Sequence, residues 1–312
     1  MRKEAKELIQ ELKSISKMLQ SLHSSIRKNR ERLRIMRHIE FYKTSGSGND
    51  FIIIDNRNKV VDEKNLKTFI EKICRRKMSV GADGFILIEE SGSVDFRWRF
   101  FNADGNPAEM CGNGARCAAR FAYLNKIAGS KMSFETIAGI VSATVSNDLV
   151  KINIPEPAEL KTDYLLDLKN GALKISSINT GVPHVVIVMD SLNNVDVVKL
   201  GREIRFHDIF ATAGTNVNFI CQNKDDTISI RTYERGVEDE TLACGTGAVA
   251  AAIVTAFKFG AKSPVRVITK SGESLCVYHK ENNGKYSDVY LEGDARIIYK
   301  GKLYDDAWEY GL

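Results

Sequence analysis

The chain has 312 residues, 43% hydrophobic and 27% charged, with a formal net charge of +5. That is a soluble globular composition, long enough for two domains. It has neither the roughly 20-residue apolar run of a membrane span nor an apolar secretory core, so a cytoplasmic location is expected. Six cysteines with no Cys-x-x-Cys pair and five scattered histidines argue against a disulfide framework and a zinc site, so no metal is expected.

The first 36 residues read as one helix. Leu8, Leu12, Ile15, Leu19, Leu22, Ile26, Asn29, Leu33 and Met36 follow the 4-3-4-3 spacing of a heptad seam, with Asn29 its one polar position. Residues 1–38 carry eleven Lys/Arg and four Glu, a local +7 that against the whole-chain +5 leaves residues 39–312 at −2. The body is therefore not a basic nucleic-acid surface. The seam predicts a helical extension that pairs with a partner subunit. The alternatives are an amphipathic appendage on its own body and a basic helix lying on a membrane surface. Met36 is a possible second start codon, because the compact domain begins near Ile39.

The remainder repeats. Thr44-Ser45-Gly46-Ser47-Gly48-Asn49-Asp50 and a following apolar run to Asp55 open the first half. Thr180-Gly181-Val182-Pro183-His184 and an apolar run to Asp190 open the second. An alternating strand follows in each, over Val94–Phe100 and from Ile228 to Arg231, and then a polar turn. Next come Met110-Cys111-Gly112-Asn113-Gly114-Ala115 and Ala243-Cys244-Gly245-Thr246-Gly247-Ala248, each ahead of a small-residue helix predicted over Ala115–Lys126 and Ala248–Phe259. Asp55 to Asp190 spans 135 positions and Cys111 to Cys244 spans 133, nearly one offset. Pro155 and Pro157 mark the boundary. The expected fold is α+β, with two pseudo-symmetric domains. Each is a mixed β-sheet or barrel around a central helix, and the active site lies in the cleft between them. Residues 39–154 plus about 296–312 form the first domain and 155–295 the second.

A thiol at a helix N-terminus sits in a field that lowers its pKa. Two such thiols facing one substrate would act as base and acid at a single stereocentre. The glycine-flanked N–H groups at each helix start suit an α-carboxylate and the charge that develops as the α-proton leaves. Nucleotide binding is disfavoured by the absence of a phosphate-loop motif. A single nucleophilic cysteine served by His184 would leave the second motif unexplained, and a non-catalytic binding module needs no paired thiols. Cys74, Cys117, Cys221 and Cys276 read as small core residues.

At these residues the chain resembles the diaminopimelate epimerase family, cofactor-independent amino-acid racemases. The likeness runs through Ser45-Gly-Ser-Gly-Asn-Asp-Phe, Gly81-Ala-Asp-Gly, Phe101-Asn-Ala-Asp-Gly, Cys111-Gly-Asn-Gly-Ala-Arg, Thr180-Gly-Val-Pro-His, Asn216-Val-Asn-Phe, Tyr233-Glu-Arg-Gly and Ala243-Cys-Gly-Thr-Gly-Ala. The resemblance implies interconversion of LL- and meso-2,6-diaminopimelate for lysine and peptidoglycan precursor synthesis, with no cofactor, by a homodimer. It makes Cys111 and Cys244 the catalytic pair, and Gly112, Asn113, Gly245 and Thr246 the carboxylate cradle. Asn49, Asn102, Asn216, Glu234 and Arg235 become substrate-binding residues, the last four chiefly at the distal end, with His184 in support. For these polar side chains the plain alternative is capping or turn duty. The chain departs from the pattern at Val182, where members often carry Asn, and at Gly84, where some carry Gln. A related racemase acting on histidine or another amino acid is the alternative reading.

Overall fold

The computed structural model describes the backbone of residues 2–36 and 38–311, and the side chains of 9–10, 12–27 and 38–311. The heptad segment is one helix, α1 (Arg2–Met36). Its seam residues Leu12, Ile15, Leu19, Leu22 and Ile26 are 53–60% exposed, so this stretch is not covered by the body of its own chain. The side chains of Leu8, Asn29, Leu33 and Met36 lie outside the described residues.

The first half continues as β1 (Ile39–Gly46), β2 (Asn49–Asp55), α2 (Leu66–Cys74), β3 (Gly84–Glu89), β4 (Phe96–Asn102), α3 (Gly112–Leu124), β5 (Lys131–Thr136), β6 (Gly139–Ser146) and β7 (Leu149–Asn153). The second half opens with β8 (Ala158–Leu168), β9 (Gly171–Asn179), β10 (Pro183–Val188), α4 (Val197–Arg205), β11 (Asn216–Gln222), β12 (Ile228–Glu234) and β13 (Asp239–Thr241). It ends with α5 (Gly245–Phe259), β14 (Val265–Ile268), β15 (Ser274–Asn282), β16 (Lys285–Asp294) and β17 (Arg296–Leu303).

Strand pairing carries the duplication. Strands β1 to β7 pair in sequence order, with β2–β3 and β4–β5 parallel and the others antiparallel. The series β9, β10, β11, β12, β14, β15, β16 repeats that pattern, with β10–β11 and β12–β14 parallel. The parallel pairs need crossovers, which α2, α3, α4 and α5 supply. The last strands of the two series, β7 and β16, pair antiparallel from Asn153↔Tyr290 to Leu149↔Asp294 and join the halves. Strand β17 returns to β1 and β8 extends β9.

The apolar patterning explains the layers. Ile52, Ile53 and Ile54 are all fully buried, as are Phe85 to Ile88, because a strand covered on both faces needs a continuous apolar run. Ile53 and Ile86 face α3, whereas Ile52, Ile54, Phe85 and Leu87 pack with Phe69, Ile70 and Ile73 of α2. Val185, Ile187, Val217 and Phe219 make the matching cluster with Val197 and Ile204 of α4. Helices α3 and α5 lie in one apolar core that includes Ile152 and Leu291 from the joining strands, so the two halves share a core.

Both central helices start three residues earlier than the sequence predicts. Cys111 and Cys244 are the N-caps, in extended conformation at φ −145 and −119. Glycine is a poor helix former, so the Gly-rich segments read as loop. In the structure these glycines lie within the first helical turns. At the other end of α5, Gly260 provides the left-handed C-cap at φ 70.

Candidate active site

The first turns of α3 and α5 converge on one point of the joining strands. A Cβ on Gly112 would lie 3.7 Å from Leu291 Cδ2, and a Cβ on Gly245 would lie 3.0 Å from that same atom and 4.0 Å from Asn113 Oδ1. Two helix N-termini thus face each other over Leu291, with a thiol at the cap of each. The first helical bonds run from Ala115 N to Cys111 O and from Ala248 N to Cys244 O, leaving the earlier N–H groups without helical acceptors. Gly114 N donates to Cys111 Sγ at 3.5 Å, and Cys244 Sγ lies 3.6 Å from Thr246 Oγ1.

Both thiols are pushed up, contrary to the expectation that helix ends lower them. Desolvation dominates at each sulfur and carries Cys244 to about 12; backbone amides and, at Cys244, the Thr246 hydroxyl pull back only part of the way. Glu234 adds to the rise at both sulfurs. Its carboxylate is therefore felt at both sulfurs, whereas the resemblance implies a place for it at the distal end of a substrate. Burial raises Glu234 in turn, and Thr241 Oγ1 donates to its Oε2 at 2.8 Å.

The predicted polar residues fall into two groups. In the first half, Asn113 Nδ2 donates to Asn49 Oδ1 at 2.6 Å, and Asn49 Nδ2 donates to Asp83 Oδ2 at 3.2 Å. Arg76 clamps Asp83 and Asp50 from outside. In the second half, buried Asn216 accepts from Arg235 N at 2.9 Å and donates to Pro183 O at 3.1 Å. Its amide thus fixes the Glu234-Arg235 corner. Arg235 Nη1 donates to Ala213 O at 3.0 Å and has no carboxylate at ion-pair distance among the described residues. Asn102 is exposed at the end of β4, opposite Gly84. Thr180 Oγ1 donates to Thr246 O at 3.0 Å, tying the opening turn of the second half to α5.

His184 is 1% exposed, and desolvation carries it down to about 3, so it is neutral at ordinary pH. Asn218 Nδ2 donates to Val185 O at 2.9 Å and lies 3.1 Å from His184 Nδ1. A carbonyl can only accept, so this network assigns Nδ1 as acceptor and places the proton on Nε2. The imidazole is oriented by Asn218 and hydrogen-bonds to no sulfur among the described residues. That removes the support for a Cys–His nucleophile.

Sequence reasoning missed Asn218 and Arg116 as site-building residues. Both carried a signal: a polar amide inside the apolar strand Val217–Ile220, and an arginine in an otherwise small, apolar helix. It also placed Cys221 and Cys276 in the core, whereas both are only partly buried; Cys74 and Cys117 are buried as expected. Gly84 has a packing reason, since a Cβ there would meet Phe100 Cε2 at 2.7 Å and Phe101 O at 3.1 Å. At Gly247 a Cβ would stand 2.4 Å from Asn218 Oδ1. Gly247→Ala is therefore expected to lower unfolding free energy by about 1–3 kcal/mol through overpacking. Chemical denaturation reads this, and an unchanged midpoint would contradict the close approach.

A family model described as Diaminopimelate epimerase matches residues 41–157 and 176–298. A diaminopimelate epimerase of Aquifex aeolicus (strain VF5) is 45% identical over 283 residues, 87% of this chain and 100% of that protein. One from Hydrogenobaculum sp. (strain Y04AAS1) is 47% identical over 280 residues, 84% of this chain and 97% of its own. Among solved structures, a Bacillus anthracis phenazine biosynthesis protein of the PhzF family has a TM-score of 0.64 at 16% identity, covering 85% of this chain and 99% of that one. A probable proline racemase from Agrobacterium radiobacter K84 has 0.63 at 14% identity, covering 87% and 94%. These two likenesses show the fold.

Proposed function

The chain belongs to the diaminopimelate epimerase family, and we propose that it interconverts LL- and meso-2,6-diaminopimelate by proton transfer between Cys111, Cys244 and the α-carbon. The observation that carries this reading is the convergence of two thiol-capped helix N-termini over Leu291. One sulfur removes the α-proton while the other delivers a proton from the opposite side, which inverts the centre. First-turn N–H groups at Gly112, Asn113, Gly245 and Thr246 hold the α-carboxylate and stabilise the charge that develops on it. The substrate's α-ammonium brings positive charge between the sulfurs and favours the thiolate that burial opposes.

Asn49 and Asn113 act as one hydrogen-bonded pair on the first-half wall. Asn102, Asn216, Glu234 and Arg235 bind the remainder of the substrate, Asn216 by fixing the corner that presents the other two. Neutral His184 supports the second wall. The work divides between residues 39–154 with 296–312 and residues 155–295, a division that the pairing of β17 with β1 supports. No cofactor is required by this chemistry.

Incubating the protein with LL-diaminopimelate in deuterated water, with no cofactor added, is the direct test. Deuterium uptake at the α-carbon together with appearance of the meso form is expected. Exchange confined to histidine, glutamate or proline under the same conditions would transfer the reading to another racemase.

We also propose that the chain is a homodimer and that α1 takes part in pairing the copies. No helix of the described residues is long and apolar enough to cross a membrane, and α1 lies outside the family match, which begins at residue 41. Its exposed seam of Leu12, Ile15, Leu19, Leu22 and Ile26 suits a second copy of itself. Leu19→Glu with Leu22→Glu in the full chain is expected to weaken self-association in sedimentation and leave turnover intact. Unchanged association would overturn the seam's role.

A further inference from the structure

The two catalytic motifs are copies, yet one residue breaks the symmetry. Five positions after Cys111 the central helix carries Arg116; five after Cys244 it carries Val249. Both side chains are fully buried. Arg116 Nη2 donates to Asn113 Oδ1 at 2.9 Å and to Ser47 Oγ at 2.8 Å, and its Nε donates to Asp294 O at 3.2 Å. Nη1 is buried and has no partner.

What Arg116 lacks is a carboxylate. Asp294 turns its carboxylate elsewhere: Oδ1 accepts from Ser47 N and Oγ at 3.0 and 3.1 Å, and Oδ2 lies 2.9 Å from Arg296 Nε. Only its main-chain carbonyl reaches Arg116. A guanidinium stays charged in a protein, and a buried charge with no carboxylate at ion-pair distance is costly; Asp294 acts on it only through Ser47 Oγ and at longer range. The groups that can supply negative charge near Arg116 are Cys117, whose thiol burial pushes up to about 12, then Asp294, then Cys111. Cys111 senses Arg116 and Cys117 from its own helix, Glu234 from β12 and Cys244 from the cap of α5; among these the only cation is Arg116. Cys244 faces Glu234, Thr246 and Cys111, with no cation among them, and the Cys111 charge itself pushes Cys244 up.

We propose that Arg116 is a positioning residue that makes the two halves chemically unequal: its charge makes Cys111 the first of the paired thiols to ionise, and its fork sets Asn113 and Asn49 for the substrate. The inference rests on the two-thiol reading above. In the ionisation step Cys111 Sγ–H releases its proton to solvent, and the thiolate adds negative charge within the field of Arg116. Cys244 keeps its proton and begins as the acid. The duplicated site therefore has a defined starting state, set from within α3.

Thiolate ultraviolet absorbance, followed against pH, tests this without requiring turnover. The Cys244→Ser protein keeps Cys111, and the Cys111→Ser protein keeps Cys244; the four other cysteines are common to both. Cys111 is expected to ionise with an acid constant at least about tenfold larger than that of Cys244. Adding Arg116→Met to the Cys244→Ser protein should erase the difference. Arg116→Lys keeps the charge but loses the fork. It should preserve the order of ionisation while raising KM several-fold with a smaller change in kcat. Equal or reversed ionisation in the parent pair overturns the proposal, as does a difference that survives Arg116→Met. If circular dichroism shows that Arg116→Met does not fold, Arg116→Lys decides: loss of the order with KM unchanged refutes both roles. A Cys111→Ala protein that still epimerised would sink the two-thiol reading while leaving the order of ionisation measurable.

Discussion

Cys111→Ala and Cys244→Ala are each expected to lower epimerisation about ten-thousandfold, the upper range for removal of a positioned acid or base. The loss should be similar in the two variants because inversion needs both sulfurs in one event. One thiol alone can remove the α-proton, but without a donor on the other face it can only return a proton to the side it came from. Each variant should therefore retain slow exchange of the α-hydrogen with solvent from one substrate stereoisomer, without inversion. Folding should survive both changes: Cys111 holds one long hydrogen bond from Gly114 N, and Cys244 a contact at 3.6 Å. Stereochemical analysis by chiral chromatography, with α-deuterium content from mass spectrometry, separates the outcomes. Near-normal turnover in either variant excludes a two-base site, and inversion by a single-thiol variant would require another acid in the cleft.

The repeat was legible because duplication preserves spacing, and the 133-residue offset of the cysteines matches the equivalence of α3 and α5. The caps were legible in kind but not in place. Glycine weighs against helix locally, while the reason for Gly247 is Asn218, 29 positions earlier in the chain and reached only through the fold. No local signal reveals such an approach. The sign of the thiol shifts failed for a related reason. Helix ends act over one turn and can be read from sequence, whereas desolvation depends on what the other half brings against the sulfur. Leu291, under both first turns, lies on a strand that no motif marks. Helix α1 is the opposite case, where periodicity alone sufficed.

The expected effect at Arg235 tests substrate choice. Arg235→Ala should reduce kcat/KM for diaminopimelate roughly 10- to 100-fold, the range for losing a hydrogen-bonded charged partner. It should leave α-proton exchange of small monocarboxylic amino acids nearly unchanged. The argument begins with backbone geometry. Glu234 is the last residue of β12 and Arg235 the first of the turn that follows, where the chain leaves the strand direction. Glu234 is felt at both sulfurs. Arg235 is held away by Asn216 on its N–H and by Ala213 O on its guanidinium. One carbonyl acceptor leaves most of its planar fork free, and a second carboxylate is the partner that fits it in two parallel bonds. On the proposed reading, a substrate with one carboxylate spends it on the helix N-termini and leaves Arg235 unused. Diaminopimelate has a second amino-acid head, whose carboxylate the proposed reading assigns to Arg235 and whose ammonium it assigns to Glu234. Arg235→Lys should recover only part of the loss, because a point charge cannot reproduce the fork. Steady-state kinetics with both substrate types checks this. An equal loss for one-headed and two-headed amino acids would show that Arg235 supports the wall of the site rather than reading the far end of the substrate.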